Sequence, residues 1–244
     1  SWSVFGVADE KGLINGEEGK IGELEKKYNV DVVLKMADYD TCITLYASGE
    51  CQAACITNMD ILATSLSLPS VGILPTSTSF GADALLVSDS IKTVKDLKGK
   101  KVYGLENSVS EYCFVRNLEL LGEKESDYMF ANMDPAAAAM NMQQKQAGYD
   151  AIVVWNPFVL ETLTQRPDVK VLFDSTKIPG EIIDMVIMSQ KALDQEGGEA
   201  FAKCVIETYY KLNTILNAPA TRNDTLVALG KKFCNLDAGK METV

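Results

Sequence analysis

Two aspartates occupy the same unusual position in the chain. Asp83 leads into the apolar run Ala84-Leu-Leu-Val87 two residues after Gly81, and Asp184 interrupts Gly180-Glu-Ile-Ile-Asp-Met-Val-Ile187 in the same manner. A carboxylate at the start of a buried strand is costly unless it is hydrogen-bonded or paired. Two such carboxylates facing one cleft would raise each other's pKa. That arrangement implies a cation, a donor-rich ligand or a trapped proton.

Other candidate groups lie where strands run into helices. In Cys55-Ile-Thr-Asn-Met-Asp60, either Thr57 or Asn58 suits the N-cap of the next helix and leaves the other to face a ligand. Ser108-x-x-Glu111 has the spacing of a capping box, which explains both residues structurally. The same helix start carries free N–H groups, and Ser110 is the better placed to direct a hydroxyl at a ligand. Trp155, at the end of Val153-Val-Trp155-Asn-Pro157, suits either a pocket wall or core packing, and Trp2 carries the same two readings.

Composition narrows the chemistry. The 244 residues contain no histidine, which removes the commonest general base and metal ligand. No GxSxG, P-loop or GxGxxG motif is present. No catalytic residue, metal site or cofactor is expected. The net charge of −11 and pI near 4.6 disfavour nucleic acid and anionic lipid as partners. Only three arginines occur (Arg116, Arg166, Arg222), so the usual fork for carboxylate or phosphate is scarce. Six cysteines are present. Cys51 and Cys55 are too far apart along an extended run to pair. Cys204 and Cys234 lie on separate C-terminal helical segments, suited to a bridge or to burial as small hydrophobes. The chain starts at Ser1, which suggests a processed or truncated N-terminus.

The elements that must position these groups alternate. Strands are expected over 30–35, 52–57, 71–75, 83–88, 101–105, 151–155, 169–173 and 183–189. Helices are expected over 39–48, 59–67, 110–121, 135–147 and 157–164, with helix alone after 189. This pattern implies an α/β fold with parallel sheets. Two polar segments, 75–81 and 174–181, join strands without a helix and read as a double crossover hinge. They divide the chain into a discontinuous lobe of residues 1–79 plus 178–244 and an inserted lobe of 80–177. Such a layout suits a clamp that closes on its ligand.

Several segments resemble one family: Tyr39-Asp-Thr-Cys42 with Tyr46-Ala-Ser-Gly-Glu50, Thr57-Asn-Met-Asp60, Gly81-Ala-Asp-Ala84, Val94-Lys-Asp-Leu-Lys-Gly-Lys-Lys-Val102, Asn132-Met-Asp-Pro-Ala136 and Ala151-Ile-Val-Val-Trp-Asn-Pro157. They are similar to the nitrate/taurine-type, NMT1/THI5-like solute-binding proteins of ABC importers. The resemblance implies a type II periplasmic-binding-protein fold, a periplasmic or extracytoplasmic location, and a monomer that delivers a small-molecule solute to an ABC permease. Within the family the chain looks most like the branch associated with urea carboxylase, which implies a guanidine-, urea- or amide-like solute. By that pattern the ligand-binding residues are Trp2, Asn58, Asp83, Ser108, Ser110, Glu111, Trp155 and Asp184. The family's first strand would precede Trp2, and Ala82 stands where Asn is more usual. The alternatives are an anion (sulfonate or nitrate) or pyrimidine binder of the same family, or a same-fold enzyme of the menaquinone-biosynthesis type.

Overall fold

The computed structural model describes residues 2–232 and 236–242. Among them are eight strands: β1 (Ala53–Thr57), β2 (Ser70–Thr78), β3 (Asp83–Val87), β4 (Lys101–Gly104), β5 (Met129–Asn132), β6 (Ala151–Trp155), β7 (Lys170–Asp174) and β8 (Ile183–Ser189). The helices are α1 (Val4–Glu10), α2 (Glu23–Tyr28), α3 (Tyr39–Ala47), α4 (Asn58–Thr64), α5 (Val109–Leu120), α6 (Pro135–Gln143), α7 (Phe158–Gln165), α8 (Gln190–Leu193), α9 (Gly198–Asn217), α10 (Arg222–Lys232) and α11 (Ala238–Met241). The chain forms two compact units. Among the described residues, the first contains 2–77 and those between Asp184 and Glu242, and the second spans Thr78–Ile183.

In the first unit, three strands form a sheet in the order β1-β8-β2. β1 runs antiparallel to β8, with Ala53 opposite Met188 and Thr57 opposite Asp184. Its main core gathers Phe5, Ile14, Leu24 and Leu74 against Val205 and Leu212 of α9. Helix alone was expected after residue 189, and α9 buries an apolar face there: Phe201, Tyr209 and Leu216 pack against the same core.

The second unit carries a five-stranded sheet in the order β5-β4-β6-β3-β7. Here the expectation of a purely parallel sheet needs correction. β4 is parallel to β5 and β6, whereas β3 is antiparallel to both β6 and β7. No helix links β2 to β3, so no crossover sets the direction of β3. It slots between the two strands that α7 connects. All five residues of β3 are buried, and Leu85 and Leu86 pack into the two cores on opposite faces of the sheet. Each such side chain contributes about 1.5–3 kcal/mol relative to exposure.

A second correction concerns 30–35, which forms no strand. The carboxylate of Glu25, fully buried, explains the difference. Its Oε2 accepts the N–H groups of Asn15 (2.7 Å) and Gly22 (2.6 Å), and its Oε1 accepts that of Val32 (2.6 Å). Leu34 N–H is taken by the carbonyl of Gly16. The β-branched run therefore spends its backbone donors on a side chain and a loop instead of a ladder. Gly22 permits the arrangement, since a Cβ there would lie 2.6 Å from the backbone of Ile14.

Short elements also escaped the periodicity. α1, α2 and β5, of seven, six and four residues, are too brief to show a period. The bridge reading of Cys204 and Cys234, one of the two open to them, involves Cys234, which lies outside the described residues. The other five cysteines are free.

Candidate functional site

In the first unit, the groups of interest collect where β1 passes into α4. Thr57 is the N-cap and Asp60 the third helical residue, a reciprocal capping pair. One oxygen of Asp60, Oδ2, accepts the Thr57 hydroxyl at 2.5 Å, the Thr57 N–H at 3.3 Å and the Tyr39 hydroxyl. Asp60 is only 3% exposed. Burial holds its carboxyl above the usual aspartate range, and the hydrogen bonds on Oδ2 oppose that shift. Burial, followed by the charge of Asp60, pushes the Tyr39 hydroxyl well above its ordinary pKa.

Tyr39 opens α3 behind its N-cap Asp38, and its ring stacks on Trp2 with centroids 5.6 Å apart. Asn58, half-buried, is the first residue of α4. Asp184 faces Thr57 across the β1–β8 pair and accepts the Ser77 hydroxyl at 2.7 Å. Trp2, Asn58 and Asp184 are thus brought to the carboxyl end of β1. Two residues of the family-like segments that were not among the sequence candidates join them there, Tyr39 and Asp60.

In the second unit, Asp83 begins β3 and is 5% exposed. Its Oδ2 accepts the Ser79 hydroxyl at 2.5 Å. Ser79 is 2.7 Å from the Ser175 hydroxyl, which in turn accepts the Gly81 N–H at 2.8 Å. These serines come from the two polar segments that flank β3 and β7, so Asp83 is tied into both. Gly81, at φ +83°, makes the tight turn between Ser79 and Asp83.

Trp155 stands opposite Asp83 across the β3–β6 pair and packs, half-buried, with Tyr112 against Val109, Cys113, Ile178 and Ile182. The Cys113 thiol lies 3.9 Å from the Asp83 carbonyl, which sets the first turns of α5 beside β3.

At the start of α5 the capping differs by one residue from the expected box. Ser108 is the N-cap, but its hydroxyl oxygen accepts the Ser110 N–H (3.1 Å) while donating to the Leu105 carbonyl (2.7 Å). Glu111 accepts the N–H of Asn107 at 2.6 Å rather than that of Ser108. Asn107 is in the left-handed region at φ +53°, and this displaces the donor. Ser110 is fully buried, and its hydroxyl has no hydrogen-bond partner among the described residues. Gly104 lets β4 end here, because a Cβ would stand 2.7 Å from the Phe130 ring and 3.0 Å from the Val153 carbonyl.

Each unit therefore presents a carboxylate, hydroxyls and an indole near strand ends. None of the eight residues singled out from the sequence is Lys or Arg. Chemically, these sets accept N–H donors and cover flat surfaces. Ser77, Ser79 and Ser175 were legible only as members of polar, helix-free segments.

Comparison with known proteins identifies the family and the fold. The family described as NMT1/THI5 like matches residues 26–206. A curated Escherichia coli (strain K12) protein named "Putative aliphatic sulfonates-binding protein" is 29% identical over 168 residues, covering 68% of this chain and 50% of that protein. The chain thus spans about half the length of this curated relative.

Among solved structures, the periplasmic aliphatic sulphonate binding protein SsuA from Escherichia coli aligns with a TM-score of 0.76 at 23% identity. That alignment covers 99% of this chain and 78% of the other. The alkanesulfonate-binding protein SsuA from Xanthomonas axonopodis pv. citri, bound to MOPS, aligns at 0.77 and 17%, with the same coverages. The α/β fold is that of the type II periplasmic binding proteins, and the chain belongs to the NMT1/THI5-like family.

Proposed function

We propose that this chain is the extracytoplasmic solute-binding protein of an ABC importer. It works as a monomer, hands its solute to a permease and returns it chemically unchanged. The solute is small, planar and nitrogenous, of the guanidine, urea or amide class. Its ligands are Trp2, Asn58 and Asp184 on the first unit and Asp83, Ser108, Ser110, Glu111 and Trp155 on the second.

One observation carries the choice of solute: both strand-start carboxylates, Asp83 and Asp184, accept serine hydroxyls, and the eight candidate residues supply carboxylates, hydroxyls, an amide and indoles. A guanidinium or urea brings several N–H donors in a plane, and hydrogen bonds to an ionised acceptor are the strong ones. Indole faces suit such flat groups.

A second reading has support of its own. The named relatives carry the names of aliphatic sulfonate-binding proteins, and the buried Ser110 hydroxyl at the start of the 12-residue helix α5 is a donor suited to an anion.

Calorimetry separates the two. Guanidinium, urea and acetamide are titrated against an alkanesulfonate and nitrate, with thermal shifts in parallel. At a hundredfold excess over Kd a bound solute stabilises by about 2.7 kcal/mol. The expected result is binding and stabilisation by a nitrogenous solute alone. An alkanesulfonate as the tightest ligand overturns the reading in favour of the anion.

A further inference from the structure

Capping accounts for one oxygen of Asp60 and leaves the other unexplained. Oδ2 collects three donors from Thr57 and Tyr39. Oδ1 is buried and has no hydrogen-bond partner among the described residues. A capping role needs only one carboxylate oxygen, and a buried acceptor left unmade carries a desolvation cost. The asymmetry therefore calls for a donor from outside the capping pair.

A second observation lies in the same cluster. The Trp2 indole N–H is also buried without a partner among the described residues, on the ring that stacks against Tyr39. Tyr39 joins the two, since its ring carries Trp2 and its hydroxyl holds Asp60. A flat aromatic pair next to a carboxylate with one free oxygen is the chemistry that recognises a planar N–H donor.

We infer that Asp60 is a specificity-determining residue, whose Oδ1 accepts an N–H of the solute in the cluster formed with Trp2 and Tyr39. This rests on the nitrogenous reading above and adds to it a residue whose capping role hides it. The capping bonds on Oδ2 hold the carboxylate rigid, so Oδ1 is aimed before the solute arrives and little ordering entropy is lost on binding.

The test uses the full chain with urea and guanidinium, each at low millimolar concentration, as probes. Asp60→Asn keeps the size of the side chain but puts an amide where the carboxylate was. The expected result is a tenfold or greater loss of affinity for the probe that wild type binds better. Thr57→Val removes one donor to Oδ2 while leaving Oδ1 in place, and it should lower the probe-free melting temperature while affinity stays within about threefold.

A measurement on folded wild type keeps the idea exposed even if Asp60→Asn folds poorly. The chain has two tryptophans, and Trp155→Phe assigns their indole N–H resonances. The Trp2 resonance should shift on saturation with the probe. If a nitrogenous probe binds but Asp60→Asn matches wild type, or the Trp2 resonance stays put, the inference fails and the broader reading stands. If no nitrogenous probe binds wild type, the broader reading itself fails.

Discussion

Asp83 and Asp184 look interchangeable in the sequence, yet the two units treat them differently. Asp184 is half-buried and receives the Ser77 hydroxyl from the neighbouring end of β2. Asp83 is almost wholly enclosed, and the chain Ser79–Ser175–Gly81 ties its carboxylate into two polar segments at once. Depth divides the work of a carboxylate. The half-buried Asp184 keeps part of its hydration, whereas the enclosed Asp83 is held by hydroxyls that would themselves otherwise lose a partner.

The largest effect expected from this contrast is on affinity. Asp184→Ala should weaken binding of the nitrogenous solute by about 1.5–3 kcal/mol, the usual worth of a hydrogen bond to a charged group. The ligand-free melting temperature should fall less than for Asp83→Ala, because Asp184 is only half-buried. Calorimetry and a thermal melt on the same sample check both halves, and a melting temperature that collapses along with affinity would erase the distinction between the two aspartates.

Next in size is Asp83→Ala, expected to cost about 1–3 kcal/mol of ligand-free stability through the donors it abandons. For a chain of this length each kcal/mol lowers Tm by about 2–4 °C. A thermal melt without solute measures it, and an unchanged Tm would mean that the serine chain is a passenger.

The smallest effect sharpens the comparison from the other side. Ser110→Ala removes a buried hydroxyl that has no partner among the described residues, so stability should change by less than about 0.5 kcal/mol or rise slightly. Affinity is the informative readout. A loss confined to alkanesulfonate binding would mark Ser110 as an anion donor.

Legibility in the sequence followed the range of the forces involved. β6 and β8 have the bounds that their apolar runs predict, and α3 and α5 start within one residue of expectation, because caps and short-range periodicity are local. The antiparallel insertion of β3 was not legible, since strand direction depends on which partners are met across the sheet. Nor was the pairing of Asp83 with Trp155, 72 residues away in the chain. Asp60 was hidden for another reason. A residue with a complete local explanation gives a sequence reader no cause to ask about its second oxygen.

Glu25 shows how unevenly tolerance to substitution can be distributed. Its carboxylate is received at Asn15, Gly22 and Val32 only by main-chain N–H groups, which every residue but proline supplies. Asn15 and Val32 answer to Glu25 through their backbones, so this contact asks nothing of their side chains. The risk is gathered at Glu25, whose replacement by Ala would strand three donors together. One side chain thereby sets the vulnerability of a stretch that holds its shape without a strand.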